Sequence, residues 1–258
     1  MAGVCAGKAA LVTGASSGIG RAVARRLAAE GAAVALVARR GDVLDTVARE
    51  IEQAGGHALA LPTDVREPEA AARAVAATVE TFGRLDILVC AAGEQAAGDV
   101  RRVPDEALEN AIRSKLLGYV RFAREAAAHL PAGGVIVLVV GGAGKFPTGQ
   151  GVVGAVVNAG LLAFTQGFAE ALAPQGIRVV ALNPGIVDTA LFDRQAAALA
   201  EWEGISREAA LQRVRPSNPL GGLHQPEQVA EVVAFLVSDA AARITSTSID
   251  MGGRGRAL

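Results

Sequence analysis

The chain is poor in the residues that usually announce a function. Its two cysteines, Cys5 and Cys90, lie far apart and match no metal-ligand or redox spacing. That excludes a disulfide scaffold and leaves two reduced thiols as the expectation. Three isolated histidines, His57, His129 and His224, have no zinc spacing, so no metal site is expected. Aromatic residues make up 3%, with Tyr119 the single tyrosine and Trp202 the single tryptophan. Net charge is −1 and no basic block occurs, which excludes the basic stripe of a nucleic-acid surface. Hydrophobic residues reach 51%, yet no uninterrupted apolar run attains the ~18–20 residues of a membrane span. The opening "MAGVCAGKAALVTG" has too little apolar length before its first charge for a secretory signal. The expected location is the cytoplasm, with no membrane partner.

Against these absences stands a regular alternation. Short apolar runs ("KAALVTG", "AVALVAR", "HALALPTDV", "LDILVCAAG", "GGVIVLVVGG", "IRVVALNPG") are separated by longer helical patterns, and "TSTSIDMGG" adds a last short strand. Such βα units predict a parallel sheet covered by helices. "LDILVCAAG" is apolar without alternation, as a strand buried on both faces should be. Pro68 suits the first turn of the third helix, and a long helical region is expected over 104–130. The span 188–220 is the one sizeable insertion, and nothing divides residues 1–258 into two domains.

"TGASSGIG", Thr13 to Gly20, follows the first strand and opens the first helix. Glycines at 14, 18 and 20 let the backbone turn tightly and approach a phosphate, which the helix N-terminus then faces. The other reading is a structural turn.

The G-x-x-x-G-x-G spacing behind Thr13 resembles the short-chain dehydrogenase/reductase family, and the likeness runs along nearly the whole chain. Asp64-Val65 is similar to the family's adenine-contacting turn. Ala91-Ala92-Gly93 is similar to its N-A-G, and "NPGIVDT" (Asn183 to Thr189) to its P-G-x-x-x-T loop over the nicotinamide. The resemblance implies a single Rossmann-type α/β domain: a doubly wound parallel sheet of about seven strands with helices on both faces. It also implies a cofactor site formed by Gly14, Ser16, Ser17, Gly18, Ile19, Gly20, Asp64, Val65, Ala91, Ala92, Gly93, Asn158, Pro184, Gly185, Val187 and Thr189. Strand two ends in "VARRGD", with Arg39 and Arg40 and no acid before Asp42. Arginine pairs with a 2′-phosphate, so NADP(H) is expected over NAD(H), with Arg39 the reader. The alternative is a pair of solvated surface arginines.

The family's reaction uses a serine after strand five, a tyrosine thirteen residues on, a lysine four beyond that, and an asparagine on the preceding long helix. Matching "NAGLLAFTQGFAEAL" to the family's lysine segment places Asn158 at the lysine, Gly154 at the tyrosine and Gly141 at the serine. "SKLLGYV" places Lys115 at the asparagine. Tyr119 cannot be shifted into a Tyr-x-x-x-Lys pair; it lies four residues past Lys115, where the resemblance implies a subunit contact.

Three functions remain open. The first is an NADP(H)-dependent oxidoreductase that takes its proton from another group. Lys115 is the leading candidate, against a plain solvated lysine, with Lys145, Ser114 and Asp188 behind it. The second is a non-catalytic subunit partnering an active relative. The third is a lyase or isomerase using Lys115 as base. The resemblance implies pairing through helices near 104–130 and 152–173, as homodimer, homotetramer or hetero-oligomer. If the protein is active, a small-molecule substrate lies beneath the 188–220 insertion. Leu191, Phe192, Leu199, Trp202, Ile205 and Leu211 there either line the substrate site or pack the lid onto the core.

Overall fold

Strand β1 (Ala9–Thr13) reads AALVT, and all five residues are buried, as a strand covered on both faces requires. The structure, a computed structural model, describes residues 3–93, 100–213 and 220–252. Within them β1 joins β2 (Ala33–Ala38), β3 (His57–Pro62), β4 (Ile87–Cys90), β5 (Val135–Val139), β6 (Arg178–Pro184) and β7 (Thr247–Met251). They form one parallel sheet in the order β3-β2-β1-β4-β5-β6-β7. The order reverses between β1 and β4, so a crevice opens at the carboxyl ends of these two strands.

Alternate side chains feed two cores. Ala10, Val12, Val135, Val137 and Val139 meet α1 (Gly18–Ala29), α2 (Gly41–Gln53) and α9 (Pro226–Val237). Leu11, Ile136, Leu138 and Val140 meet helices on the other face. Those helices are α3 (Ala70–Phe82), α5 (Gly118–Ala127) and α6 (Val152–Leu172). Between β4 and α5 lie α4 (Asp105–Ala111) and a π-helical segment, Ile112–Leu117.

Two sequence expectations shift. Pro68 lies in the turn ahead of α3 rather than in its first turn. The long helical region over 104–130 is helical from Asp105 to Ala127 but changes winding in the middle. π segments often mark functional sites, and this one carries Ser114 and Lys115.

Val152–Gln175 is long and apolar enough to cross a membrane, with mean hydropathy 1.6 over its most apolar window. Here Leu161, Ala169 and Leu172 pack one of its faces into the core beneath the sheet. The 188–220 insertion forms α7 (Ala190–Glu203) and α8 (Arg207–Arg213); residues 214–219 lie outside the described residues. Phe192 is buried, whereas Ile205 is half-buried. The insertion's start is tied down by a bridge between Val187 and His224.

Leu161 is fully buried at the middle of α6. Leu161→Ala is expected to cost about 2–5 kcal/mol in urea unfolding, because the surrounding core collapses only partly onto the lost side chain.

Candidate active site

The glycine loop is packed too closely for side chains. A Cβ on Gly14, whose φ is +75°, would stand 2.9 Å from the backbone of Ala91 and Ala92. One on Gly20 would stand 2.3 Å from the Gly14 carbonyl oxygen. Thr13 Oγ1 accepts the Ala91 and Ala92 N–H groups at 3.1 Å each, fixing the end of β4 against the loop. The Thr189 methyl lies 3.1 Å from where a Gly18 Cβ would be, so the segment Pro184–Thr189 closes over the same crevice. The first turn of α1 has no acidic residue, and the Ser17 side chain makes no capping hydrogen bond. The N-terminal amides of that helix therefore face the crevice as a cradle for an anion. Gly14, Ser16, Ser17, Gly18, Ile19, Gly20, Ala91, Ala92, Gly93, Pro184, Gly185, Val187 and Thr189 thus gather at one edge of the sheet.

At the end of β2, Arg39 and Arg40 are both exposed, and Arg40 donates to Ser16 Oγ at 3.4 Å. Asp64 is held by Arg66, whose Nε lies 3.1 and 3.0 Å from its two oxygens and whose Nη2 lies 2.6 Å from one of them. That hydrogen bonding keeps the Asp64 carboxyl below the usual carboxylate range, despite partial burial. Arg66 escaped the sequence reading; its signal was a cation two residues past the aspartate in a turn. Val65 lies behind, with its Cβ 3.6 Å from a Cβ built at Gly118.

The far side of the crevice is made by backbone groups whose ladder partners are missing. Ala92 gives its N–H to Thr13 rather than to β5, and the Val139 carbonyl accepts instead from Tyr119 Oη at 3.0 Å. Val140 N–H donates to Leu182 O, so its carbonyl should be met by the N–H of residue 184. Residue 184 is proline and has none. Lys115 Nζ takes that place at 2.5 Å from Val140 O.

One expectation is corrected here, and one open alternative is decided. Tyr119 does not face a subunit contact: it is 2% exposed, inside the core, because its hydroxyl is needed at the sheet edge. Lys115 is not a solvated lysine on an amphipathic helix. It is 4% exposed, with its methylenes packed over Gly93, where a Cβ would come within 2.9 Å of the lysine stem. Desolvation drives its pKa from 10.5 to about 7.

Asn158 is buried on α6 and donates from Nδ2 to the Gly141 carbonyl at 3.4 Å. Its Oδ1 is buried without a hydrogen-bond partner. Gly141 has φ +108°, and its missing side chain leaves room beside the Asn158 amide. Gly154 is buried one helical turn before Asn158, and a Cβ built there meets nothing within 4 Å. Lys115, Gly141, Gly154 and Asn158 are thus gathered around the end of β5 and the start of α6. The lesser candidates are placed less favourably. Lys145 is paired with Asp250 at 2.9 Å, Asp188 is exposed near Gln225, and Ser114 is buried beside Lys115.

Two measurements check this geometry. Tyr119→Phe orphans the Val139 carbonyl and is expected to cost about 1–3 kcal/mol in denaturant unfolding. Lys115 binds its proton more weakly folded than unfolded, so stability should rise as pH climbs from about 7 toward 10.5 and level off below 7. Lys115→Met removes that slope. Wild type should gain on the variant by up to ~1.4 kcal/mol per pH unit across this window, read by unfolding at pH 7.5 and 9.

Comparison with known proteins agrees with this architecture. A family model described as enoyl-(acyl carrier protein) reductase matches residues 14–253. A Streptomyces virginiae protein, named as a candidate ketoacyl reductase of the monensin polyketide synthase, is 38% identical and covers 96% of this chain and 97% of its own length. A phenylalanine-to-tryptophan variant of actinorhodin polyketide ketoreductase, solved with NADPH, superposes with a TM-score of 0.90 at 33% identity, covering 99% of this chain and 100% of its own. A Burkholderia cenocepacia short-chain dehydrogenase in complex with NADP superposes at 0.86, with 32% identity over 96% of this chain and 98% of that one. With the sheet order, the glycine loop and these matches across nearly its full length, the chain belongs to the short-chain dehydrogenase/reductase family.

Proposed function

We propose that this protein is an NADP(H)-dependent oxidoreductase interconverting a carbonyl and an alcohol, with a non-standard acid–base apparatus. The observation that carries the proposal is the cradle at Gly14, Gly18 and Gly20, where added Cβ atoms would collide with Ala91 and Gly14 or press on Thr189. Residues packed this tightly around free helix amides fit a pyrophosphate. Arg39 and Arg40, with Ser16 beside them, fit a 2′-phosphate. Asp64 and Val65 hold the adenine end, and Asn158 lies at the ribose end. When bound, the nicotinamide supplies or accepts the hydride. The relatives named for ketoacyl reduction, and the neighbours solved with NADP or NADPH, support this choice of nucleotide and reaction class.

The protein's own part is to hold the reactants together and to move a proton. The positions read as the serine, tyrosine and lysine of the family carry Gly141, Gly154 and Asn158, none of which titrates. Tyr119 is committed to Val139, and burial raises its pKa well above 10.0. Lys115 is the buried group near the crevice whose pKa, about 7, suits exchange of a proton at neutral pH. Its ammonium form delivers a proton toward the forming alkoxide, and its amine form takes it back in the reverse direction.

A second reading, a non-catalytic subunit paired with an active relative, draws on the outward face of α6. Val156 is 58% exposed, with Ala159, Ala163 and Gly167 exposed along the same helix. Such an apolar strip suits pairing through the 104–130 and 152–173 helices, whether the assembly is a homodimer, a homotetramer or a hetero-oligomer.

Titration of the purified protein with NADPH and with NADH separates the readings. At ~100 times its dissociation constant, a bound nucleotide adds ~2.7 kcal/mol of stability, visible as a melting shift. NADPH should bind more tightly than NADH, and Arg39→Ala with Arg40→Ala should cost about 1.5–3 kcal/mol, roughly 10- to 150-fold, for NADPH alone. Binding of neither nucleotide overturns the oxidoreductase, and unchanged turnover in Lys115→Met removes its role as proton donor.

A further inference from the structure

Lys115 is the only cationic side chain buried below a tenth of its surface among the described residues. It reaches the end of β5 from the π segment before α5, and Asn158 reaches it from α6. The two bind consecutive carbonyls, Lys115 at Val140 and Asn158 at Gly141. Each keeps spare capacity. Among the described residues, the Lys115 amine makes one hydrogen bond, to Val140, and pairs with no carboxylate. Asn158 has an acceptor oxygen buried without a partner, a state that ordinarily costs about 1–3 kcal/mol. Neither neighbour supplies a competing group, since Gly141 and Gly154 have no side chains and the space before Gly154 is open. The titratable groups of the same core, Cys90 on β4 and Tyr119 on α5, are both driven up by burial and stay neutral. Lysine stands where the resembled pattern has asparagine, and asparagine where it has lysine.

We propose that Lys115 and Asn158 act as one unit, an amine and an amide exchanged between two helices. In it the Asn158 carbonyl oxygen receives a ligand or water hydroxyl whose proton is governed by the Lys115 amine. Lys115 supplies the exchangeable proton and the positive charge, and Asn158 is a positioning residue that sets where that proton is offered. The unit rests on the oxidoreductase reading for its use in turnover, but not for its existence. Its physical signature is mutual dependence: altering the amide changes how the amine titrates, although the amide itself carries no charge.

The test needs no substrate. Lysine-selective carbon NMR follows the titration of Lys115 in the ligand-free wild type and in Asn158→Leu, with Asn158→Ser as a smaller replacement should the first fail to fold. The midpoint is expected to move by at least half a pH unit. NADPH affinity is then measured in Lys115→Asn, Asn158→Lys and the double exchange. Each single variant should bind at least tenfold more weakly, and the double should recover to within threefold of wild type, the non-additivity that marks a coupled pair. An unmoved midpoint, or losses that simply add in the double variant, overturns the unit. A moved midpoint in a protein that binds neither nucleotide removes the oxidoreductase and leaves the unit standing.

Discussion

The site depends on where the hydrogen-bond ladder of the parallel sheet stops. Buried backbone carbonyls and amides must find partners, and at the carboxyl edge the strands no longer supply them. Ala91 and Ala92 turn to Thr13, which leaves Val139 to Tyr119. Proline at 184 leaves Val140 to Lys115. Each substitution of a side chain for a strand draws a polar group into the protein at the mouth of the crevice. A buried lysine is otherwise hard to account for: the carbonyl it satisfies explains its position, and the desolvation it endures explains its lowered pKa.

The same constraint separates the two halves of the crevice. On the β1 side, glycines let backbone pack on backbone, and little chemistry is available beyond amides pointing at an anion. On the β5 side, side chains do the pairing. The glycine-lined half of the crevice and the half at the end of β5 are therefore built by different means. One is a matter of close approach, which any added Cβ disrupts. The other is a matter of which residue reaches an orphaned carbonyl, and two helices can meet that need in more than one way.

Much of the fold was legible because its signals are local. The apolar runs marked the strands, and Gly14, Gly18 and Gly20 marked the turn by spacing alone. Pro68 misled because a proline that fits a first helical turn fits the preceding turn equally well. Arg66 was missed because its partner, Asp64, is recognised only once the turn brings the two together. Tyr119 was placed on the right helix but in the wrong surroundings, and Lys115 was left between a site residue and a solvated one, since helical spacing names a shared face and does not say what covers it.

By itself, the sequence determined the order of strands and helices, the glycine turn, and the absence of any tyrosine followed four residues later by lysine. These follow from residue type and spacing along the chain. Only the tertiary structure decided that Lys115 is buried, that Tyr119 is spent on a backbone carbonyl, and that Asn158 keeps an acceptor in reserve. Those properties belong to contacts between the π segment, α5, α6 and the end of β5, and the cost of burying a charge is set by what surrounds it rather than by the residues beside it in sequence.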